Sequence, residues 1–250
     1  MKVMLFHGLA VKKLATRVDT VLVAFEEAKK RLPKAKNIVI TGTPSKMKKV
    51  NMSQEEKIKV KRDLGIQEDL PLVLVFGGSQ GARTINQTIL KLIEQRLNKN
   101  YQIVLATGQK QYDIIQKELM NKDIDIKNLY HSKIVPYIYD MERIMNACDL
   151  AVCRSGAITI TEIAIVGKPA IFIPLPNVSQ NHQEYNAKVL ESRGAAKIIL
   201  DSNLNAENLS KTIDLLIENP KLLQEMGEKA QSVSINNVEE QIYKEIKKII

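Results

Sequence analysis

The sequence predicts an α/β fold: a Rossmann-like parallel sheet with helices on both of its faces. Short apolar segments rich in β-branched residues alternate with segments in which apolar residues recur at helical spacing. Two strand-to-helix junctions contain turns of small residues, in PLVLVFGGSQGARTINQ from Pro71 to Gln87 and in DLAVCRSGAITITEIAIVGKPAIFIP from Asp149 to Pro174. Alternation of this kind is typical of parallel strands joined by helical crossovers.

The predicted strands are the apolar runs between helices: residues 3–6, 20–24, 37–41, 72–76, 102–106, 150–153, 170–173 and 196–200. Helical periodicity covers residues 84–97, 112–121, 139–147, 159–166 and 180–192. Ser53 and Glu56 form a capping-box pattern, which predicts a helix running to about Leu64. After Leu200 no strand pattern remains, and three helices are expected to close the domain, at residues 205–218, 220–232 and 237–250.

The composition is that of a water-soluble globular chain, with 44% hydrophobic and 26% charged residues among 250. No apolar run reaches the ~18–20 residues that span a bilayer, and no secretory signal pattern is present. The net charge of +9 suits anionic ligands or an anionic membrane surface, whereas few aromatic residues and no recognition motif argue against nucleic acid. We therefore expect a cytoplasmic protein, with peripheral contact to the inner face of the cell membrane as a further option.

No metal or cofactor is predicted. The absence of a second pair of ligands beside Cys148 and Cys153 argues against a zinc site and a disulfide framework, and we expect both thiols to be reduced and buried. Asp123 and Asp125 match the Asp-x-Asp pattern of metal-dependent sugar transferases, but they lie in a polar loop with no apolar strand before them, which favours a chance match.

The first turn contains Gly77, Gly78 and Gly81 between a strand and a helix. Glycine allows positive φ and a close approach of the backbone to a phosphate, although an ordinary tight turn would use the same residues. The string lacks the Lys-Ser/Thr of a Walker loop and the complete dinucleotide fingerprint.

The second turn is Ser155–Gly156–Ala157, with a helix beginning near Ile158. The amides of Ala157, Ile158 and Thr159 would be unpaired donors available to a phosphate. Glu162, one turn further, could accept the hydroxyls of a ribose, or it could simply favour the positive end of the helix dipole. Two such turns in one sheet suggest a site for the diphosphate of a nucleotide sugar.

A polar cluster follows the predicted strand at 170–173. It contains Asn181, His182, Gln183 and Asn186, and side-chain amides suit sugar hydroxyls because they both donate and accept. His182 could act as a base, but a single histidine is more often structural, and no catalytic residue is assigned.

At these residues the chain resembles the MurG family of N-acetylglucosaminyltransferases. The resemblance rests on five strings: GGSQGAR with Asn86, YIYDM, CRSGAITITE, NHQEYNA and RGAAKII. It implies a GT-B fold, in which two Rossmann-like domains face each other across a cleft and the C-terminal one holds UDP-GlcNAc. Residues 43–250 would be this donor domain, and residues 1–42 the last part of an otherwise absent acceptor domain and linker. The break in organisation falls near residues 41–53, TGTPSKMKKVNMS, where a turn-rich, basic string indicates a hinge or linker.

The resemblance also implies roles for single residues. Ser79, with Gly78 and Gln80, would contact the diphosphate, the backbone of Ile138 would hold the uracil, and Gln183 and Asn186 would bind the GlcNAc region. The segment of Gly156, Ala157, Ile158, Thr159, Ile160, Thr161 and Glu162 would surround the phosphates and ribose. Lys46 stands where the family has an arginine, which keeps the charge but loses a bidentate fork.

The implied activity is inverting transfer of GlcNAc from UDP-GlcNAc to the muramoyl C4 hydroxyl of lipid I, which gives lipid II. Three alternatives remain open: a UDP-GlcNAc-binding subunit that needs a separate acceptor chain, self-association through the exposed cleft face, and an inactive truncated homologue.

Overall fold

The computed structural model describes residues 13–78, 80–176 and 181–248. Their strands are β1 (Val21–Val23), β2 (Ile38–Ile40), β3 (Leu72–Phe76), β4 (Gln102–Ala106), β5 (Ser132–Val135), β6 (Leu150–Cys153), β7 (Ala170–Phe172) and β8 (Ala196–Ile198). The helices are α1 (Gln54–Asp63), α2 (Arg83–Glu94), α3 (Gln109–Met120), α4 (Met141–Ala147), α5 (Ala157–Val166), α6 (His182–Glu191), α7 (Ala206–Ile217), α8 (Pro220–Gln231) and α9 (Val238–Lys247). Short 3₁₀ helices cover Glu26–Arg31 and Asp201–Asn203.

Six strands form one parallel sheet in the order β5-β4-β3-β6-β7-β8. From β3 the chain proceeds outwards through β4 to β5, and from β6 it proceeds in the opposite direction through β7 to β8. The boundary between β3 and β6 is therefore the topological switch point, where open α/β sheets bind ligands beyond the carboxyl ends of their strands.

The two faces of this sheet have separate apolar cores. One face is covered by α2, α3 and α7, and its core includes Tyr101 and Ile103. The other is covered by α1, α4, α5 and α6, and its core includes Leu74 and Phe172. With both faces buried, the central strands are continuous apolar runs, which is why their ends could be predicted closely.

A smaller unit precedes the main sheet. Strands β1 and β2 pair in parallel, and a small apolar cluster that includes Val23 and Leu32 packs beside them. Residues 41–53, the predicted linker, contain no helix or strand and lead to α1. The smaller unit contacts the main one through an ion pair of 2.9 Å between Glu27 and Arg193.

The sequence predictions agree with the structure for most elements. The bounds of β3, β4 and β6 are as predicted, and the capping box of α1 is present, with Ser53 Oγ accepting from the Glu56 amide. Strand β5 was missed because it is a half-exposed edge strand, SKIV, without a continuous apolar run. The strand predicted at 3–6 lies outside the described residues.

Other side-chain predictions also have outcomes. Cys148 and Cys153 are both free and buried, as expected, and burial raises the pKa of the Cys148 thiol to about 11. Within the ranges the structure describes, no helix is both long and apolar enough to cross a membrane.

Candidate functional site

The two small-residue turns lie side by side at the switch point. Strands β3 and β6 are hydrogen-bonded neighbours, and Phe76 is the register partner of Cys153. Each of these residues ends its strand, so the turn after Phe76 and the turn after Cys153 begin at the same level of the sheet. The adjacency expected from the sequence is therefore present at the carboxyl edge.

Two glycines of the first turn have positive φ but different surroundings. At Gly81, with φ of +75°, an added Cβ would lie 1.9 Å from the carbonyl oxygen of Thr107, so the β4–α3 connection packs directly against the turn. At Gly78, with φ of +87°, an added Cβ would have no atom within 4 Å from the described residues beyond its chain neighbours. The turn is thus tightly packed at Gly81 and open at Gly78, where the backbone can come close to a phosphate.

Helix α2 begins directly after this turn. Its N-cap residue, Ala82, makes no side-chain capping hydrogen bond, so the first amides of the helix have no intrahelical acceptor. Gln80 is exposed in the turn. Ser79, predicted to contact a diphosphate, lies outside the described residues.

Helix α5 begins at Ala157, close to the predicted start. Gly156 is its N-cap and has no side chain to accept from the amides of Ala157, Ile158 and Thr159. These three N–H groups form an uncapped helix N-terminus beside that of α2, and the two helix dipoles direct partial positive charge to the same edge.

The rest of the predicted segment contributes differently. The side chain of Ile160 is buried in the core, and Thr161 Oγ1 donates to the carbonyl oxygen of Ala157 at 3.0 Å. Ile160 therefore packs into the core, the Thr161 hydroxyl bonds its own helix, and both side chains are buried.

Glu162 lies half-buried on α5. Burial raises the pKa of its carboxyl group, and a hydrogen bond from Ser45 partly offsets this effect. Ser45 belongs to the segment that precedes α1, so this contact places the exposed Lys46 close to α5. A carboxyl group on the second turn of α5 is thus next in space to the segment that contains Lys46, although burial disfavours the charged form of Glu162.

Helix α6 supports the second turn from behind. Gln183 accepts from the Leu175 amide through Oε1 at 3.0 Å, and its carbonyl oxygen accepts from Ser155 Oγ at 2.8 Å. Asn186 is buried, and its Nδ2 donates to the carbonyl oxygen of Ser155 at 2.9 Å. This burial favours a role for Asn186 in holding the turn rather than in touching a sugar. His182 is the first residue of α6 and is half-buried.

Ile138 lies in the loop that follows β5, two strands from β3. At about 4.8 Å per strand, this loop is roughly 10 Å from the first turn along the sheet edge. The side chain of Ile138 is buried, and the residues on either side of it, Tyr137 and Tyr139, are exposed with ring centroids 5.2 Å apart.

One cluster at this edge was not found by sequence reasoning. Arg154, directly after β6, is buried and forms an ion pair of 2.6 Å with Asp201. Its Nη2 also donates to Thr84 Oγ1 at 2.6 Å. A single arginine within the apolar string DLAVCRSGA was the available signal, because a buried charge needs a partner.

The Asp-x-Asp pair lies elsewhere. Asp123 and Asp125 are in the connection from α3 to β5, at the amino edge of the sheet, opposite the two turns. Asp125 Oδ1 accepts from the Lys127 amide at 2.9 Å, so this side chain stabilises a turn. The position agrees with a chance match to the metal-binding pattern.

Residues 72–242, more than half of the chain, match the family model described as the glycosyltransferase family 28 C-terminal domain. The chain belongs to glycosyltransferase family 28. The matched range begins at β3 and includes both turns, Glu162 and α6. This membership confirms the predicted resemblance and the GT-B fold class.

Named relatives agree with the family assignment. The chain is 41% identical over 244 residues to a UDP-N-acetylglucosamine--N-acetylmuramyl-(pentapeptide) pyrophosphoryl-undecaprenol N-acetylglucosamine transferase of Thermoanaerobacter sp. (strain X514), covering 98% of this chain and 65% of the relative. A protein of the same name from Acetivibrio thermocellus is 40% identical over 246 residues, with 98% and 64% covered. The family 28 chain thus spans about 65% of the length of such relatives.

A solved structure, MurG of Acinetobacter baumannii, superposes with a TM-score of 0.74 at 28% identity, covering 98% of this chain and 65% of that one. A glycosyltransferase from Rickettsia africae has a TM-score of 0.63 at 15% identity, which speaks for the fold alone.

Proposed function

We propose that this chain binds UDP-GlcNAc at the switch point of the six-stranded sheet and contributes the donor half of a transferase that converts lipid I to lipid II. The observation that carries the proposal is the pair of uncapped helix N-termini, α2 and α5, at the ends of adjacent strands. Among the described residues the first amides of both helices have no acceptor, and these donors, together with the two helix dipoles, suit the two phosphates of a sugar nucleotide. The relatives' names supply the donor and acceptor.

The proposed pose follows the edge of the sheet. The diphosphate lies over Gly78 and the first amides of α5, the ribose reaches Glu162, and the uracil meets the backbone of Ile138. The roughly 10 Å between the loop at Ile138 and the first turn leaves room for a ribose between base and diphosphate. Gln183 lies on the GlcNAc side.

The proposed mechanism needs charge stabilisation on the leaving group. The C4 hydroxyl of the muramoyl sugar attacks the anomeric carbon of GlcNAc, the bond to the diphosphate breaks, and UDP leaves with the electron pair. Amide N–H groups of Ala157, Ile158 and Thr159 stabilise the charge that grows on the diphosphate, and Lys46 adds a cation. No residue described here is assigned as the base that removes the hydroxyl proton.

Isothermal calorimetry tests the donor site. UDP and UDP-GlcNAc should both bind. ADP should bind much more weakly, because in the proposed pose the base is recognised by the backbone of Ile138, whose position is fixed. Absence of heat with UDP at millimolar concentration would refute the proposal.

A second candidate is a UDP-GlcNAc-binding subunit that works with a separate acceptor-binding chain or with a second copy of itself. Large apolar side chains favour it, because four of them are exposed around the same edge, three in loops and one in the first turn of α5: Tyr137, Tyr139, Leu175 and Ile158. Light scattering after size exclusion, together with turnover of lipid I, separates the two. Turnover of lipid I by the monomeric chain alone would exclude the second candidate, and turnover only after adding a partner chain, or only by a dimer, would support it.

Membrane contact is a further part of the proposal. The net charge of +9 favours an anionic bilayer surface, which suits a cytoplasmic protein that acts on a lipid-linked acceptor. We expect the chain to co-sediment with phosphatidylglycerol vesicles at low salt. This binding should be lost in 0.5–1 M salt, where charges are screened over a length on the order of 3–4 Å. Equal binding to neutral phosphatidylcholine vesicles would contradict it.

A further inference from the structure

Arg154 joins four elements at the carboxyl edge of the sheet. Its Nη1 donates to Asp201 Oδ1 at 2.6 Å and to the carbonyl oxygens of Ile173 at 3.0 Å and Pro174 at 3.1 Å. Its Nη2 donates to Thr84 Oγ1 at 2.6 Å. One planar group thus connects the end of β6, the end of β7, the 3₁₀ helix after β8 and the start of α2.

Thr84 closes this cluster. It is the second residue of α2, and its hydroxyl accepts from Arg154 and donates to Asp201 Oδ1 at 2.9 Å. Arg154 is itself the residue before Ser155 and Gly156, which lead into α5. The guanidinium group therefore holds the first turn of α2 through Thr84, and its own backbone lies three residues before the start of α5.

The cluster is costly as a purely structural device. The side chains of Arg154 and Asp201 are 10% and 14% exposed, and Arg154 Nε is buried without a partner among the described residues. Removing two charges from water carries a large desolvation penalty, and apolar residues of similar volume often replace such pairs without loss of stability. The rigid fork of arginine, however, fixes several acceptors in one plane, which apolar packing does not do.

We propose that Arg154, held by Asp201, is a positioning residue that sets the first turn of α2 against that of α5, so that the amides of both helices converge on one diphosphate. The inference rests on the proposed function. The pair is neutral overall, so its contribution is geometric: it affects ligands that carry the diphosphate and leaves recognition of the nucleoside unchanged.

Thr84→Val is the most direct test because it keeps the shape of the side chain and removes both hydroxyl contacts. Thr212→Val is the matched control, since Thr212 Oγ1 donates to the Asn208 carbonyl at 2.8 Å in α7, in a contact that involves neither turn. Affinity for UDP is measured by calorimetry, and affinity for uridine by ligand-observed NMR.

Thr84→Val should weaken UDP binding about tenfold, or ~1.4 kcal/mol, and leave uridine binding unchanged. Thr212→Val should change neither affinity. Arg154→Lys should behave like Thr84→Val, because an ammonium group can retain Asp201 but cannot also span to Thr84 and the two carbonyls.

Two outcomes overturn the positioning role: Thr84→Val binds UDP as tightly as the unmodified chain, or it loses UDP and uridine to the same extent. Failure of the proposed function is distinguishable, because it appears in the unmodified chain, which would then bind neither ligand. The positioning role would fall with it.

Discussion

Gly78→Ala separates the backbone strain of the first turn from its proposed contact with phosphate. Gly78 has φ of +87°, and apart from its chain neighbours no described residue has an atom within 4 Å of the position that a Cβ would take. The folded chain therefore has room for the methyl group. The same methyl would project into the open space above the turn, where the diphosphate is proposed to lie.

The expected effect on stability is small. A residue with a Cβ at positive φ costs about 1–2 kcal/mol. For a chain of this length, 1 kcal/mol lowers the Tm by about 2–4 °C. We therefore expect a Tm about 2–8 °C below that of the unmodified chain.

The expected effect on binding is larger. The methyl would keep phosphate oxygens away from the turn amides, and a hydrogen bond to a charged group contributes about 1.5–3 kcal/mol. Loss of one such bond corresponds to about a tenfold to hundredfold rise in the Kd for UDP. Calorimetry at fixed ionic strength measures the Kd, and scanning fluorimetry measures the Tm.

Gly65→Ala is the matched control. Gly65 also has positive φ, +67°, and its nearest atom would be Lys133 Nζ at 4.0 Å. It lies in the connection from α1 to β3, at the amino edge of the sheet, so Gly65→Ala should lower the Tm similarly and leave the Kd unchanged. If Gly78→Ala and Gly65→Ala bind UDP equally well, the first turn does not contact the diphosphate.

Three further predictions follow from packing and charge. Gly81→Ala places a methyl 1.9 Å from the Thr107 carbonyl oxygen, so urea denaturation should show about 3 kcal/mol or more of lost stability. Burial raises the pKa of Glu162, so the contribution of this group to stability is present at low pH and is lost as the pH rises through the folded-state pKa. Glu162→Gln should therefore be more stable than the unmodified chain at pH 8, and the difference should shrink towards pH 4. The affinity of Glu162→Gln for UDP should fall. Arg154→Met leaves Asp201 buried and unpaired, which should cost about 3–5 kcal/mol in urea denaturation.

Each of these predictions has a contrary result. Gly81→Ala with unchanged stability would mean that the β4–α3 connection moves freely away from the turn. Glu162→Gln that is less stable at every pH would show that the Ser45 contact outweighs desolvation. Arg154→Met combined with Asp201→Leu should recover much of the lost stability; equal stability of the single and double variants would contradict an uncompensated charge as the cause.

The positions of most elements followed from local pattern. Residues of β3 and β6 form continuous apolar runs because both faces of the sheet are covered, and the glycines after each strand mark the turns. The edge strand β5 was missed because half-exposed strands need no such run. The motif strings also carried the resemblance to the MurG family, which the family match confirms.

The candidate site was predictable only in part. Gly78, the start of α5 and Gln183 reach the carboxyl edge as expected, and their roles in binding stay predictions. Asn186 is buried beneath Ser155, which its polar character alone did not indicate. Burial depends on which helix packs over a residue, and that information lies in distant parts of the chain.

The sequence alone determined that strands and helices alternate and that small-residue turns follow two of the strands, because these properties depend on neighbouring residues. Its motif strings also indicated the resemblance to sugar-nucleotide transferases. Only the tertiary structure decided that Ser45 contacts Glu162 and that Arg154 meets Asp201 and Thr84. The last contacts join residues 47 and 70 positions apart. A charged residue in an apolar string indicates that the folded chain contains a partner for it, but the identity of that partner depends on the tertiary fold.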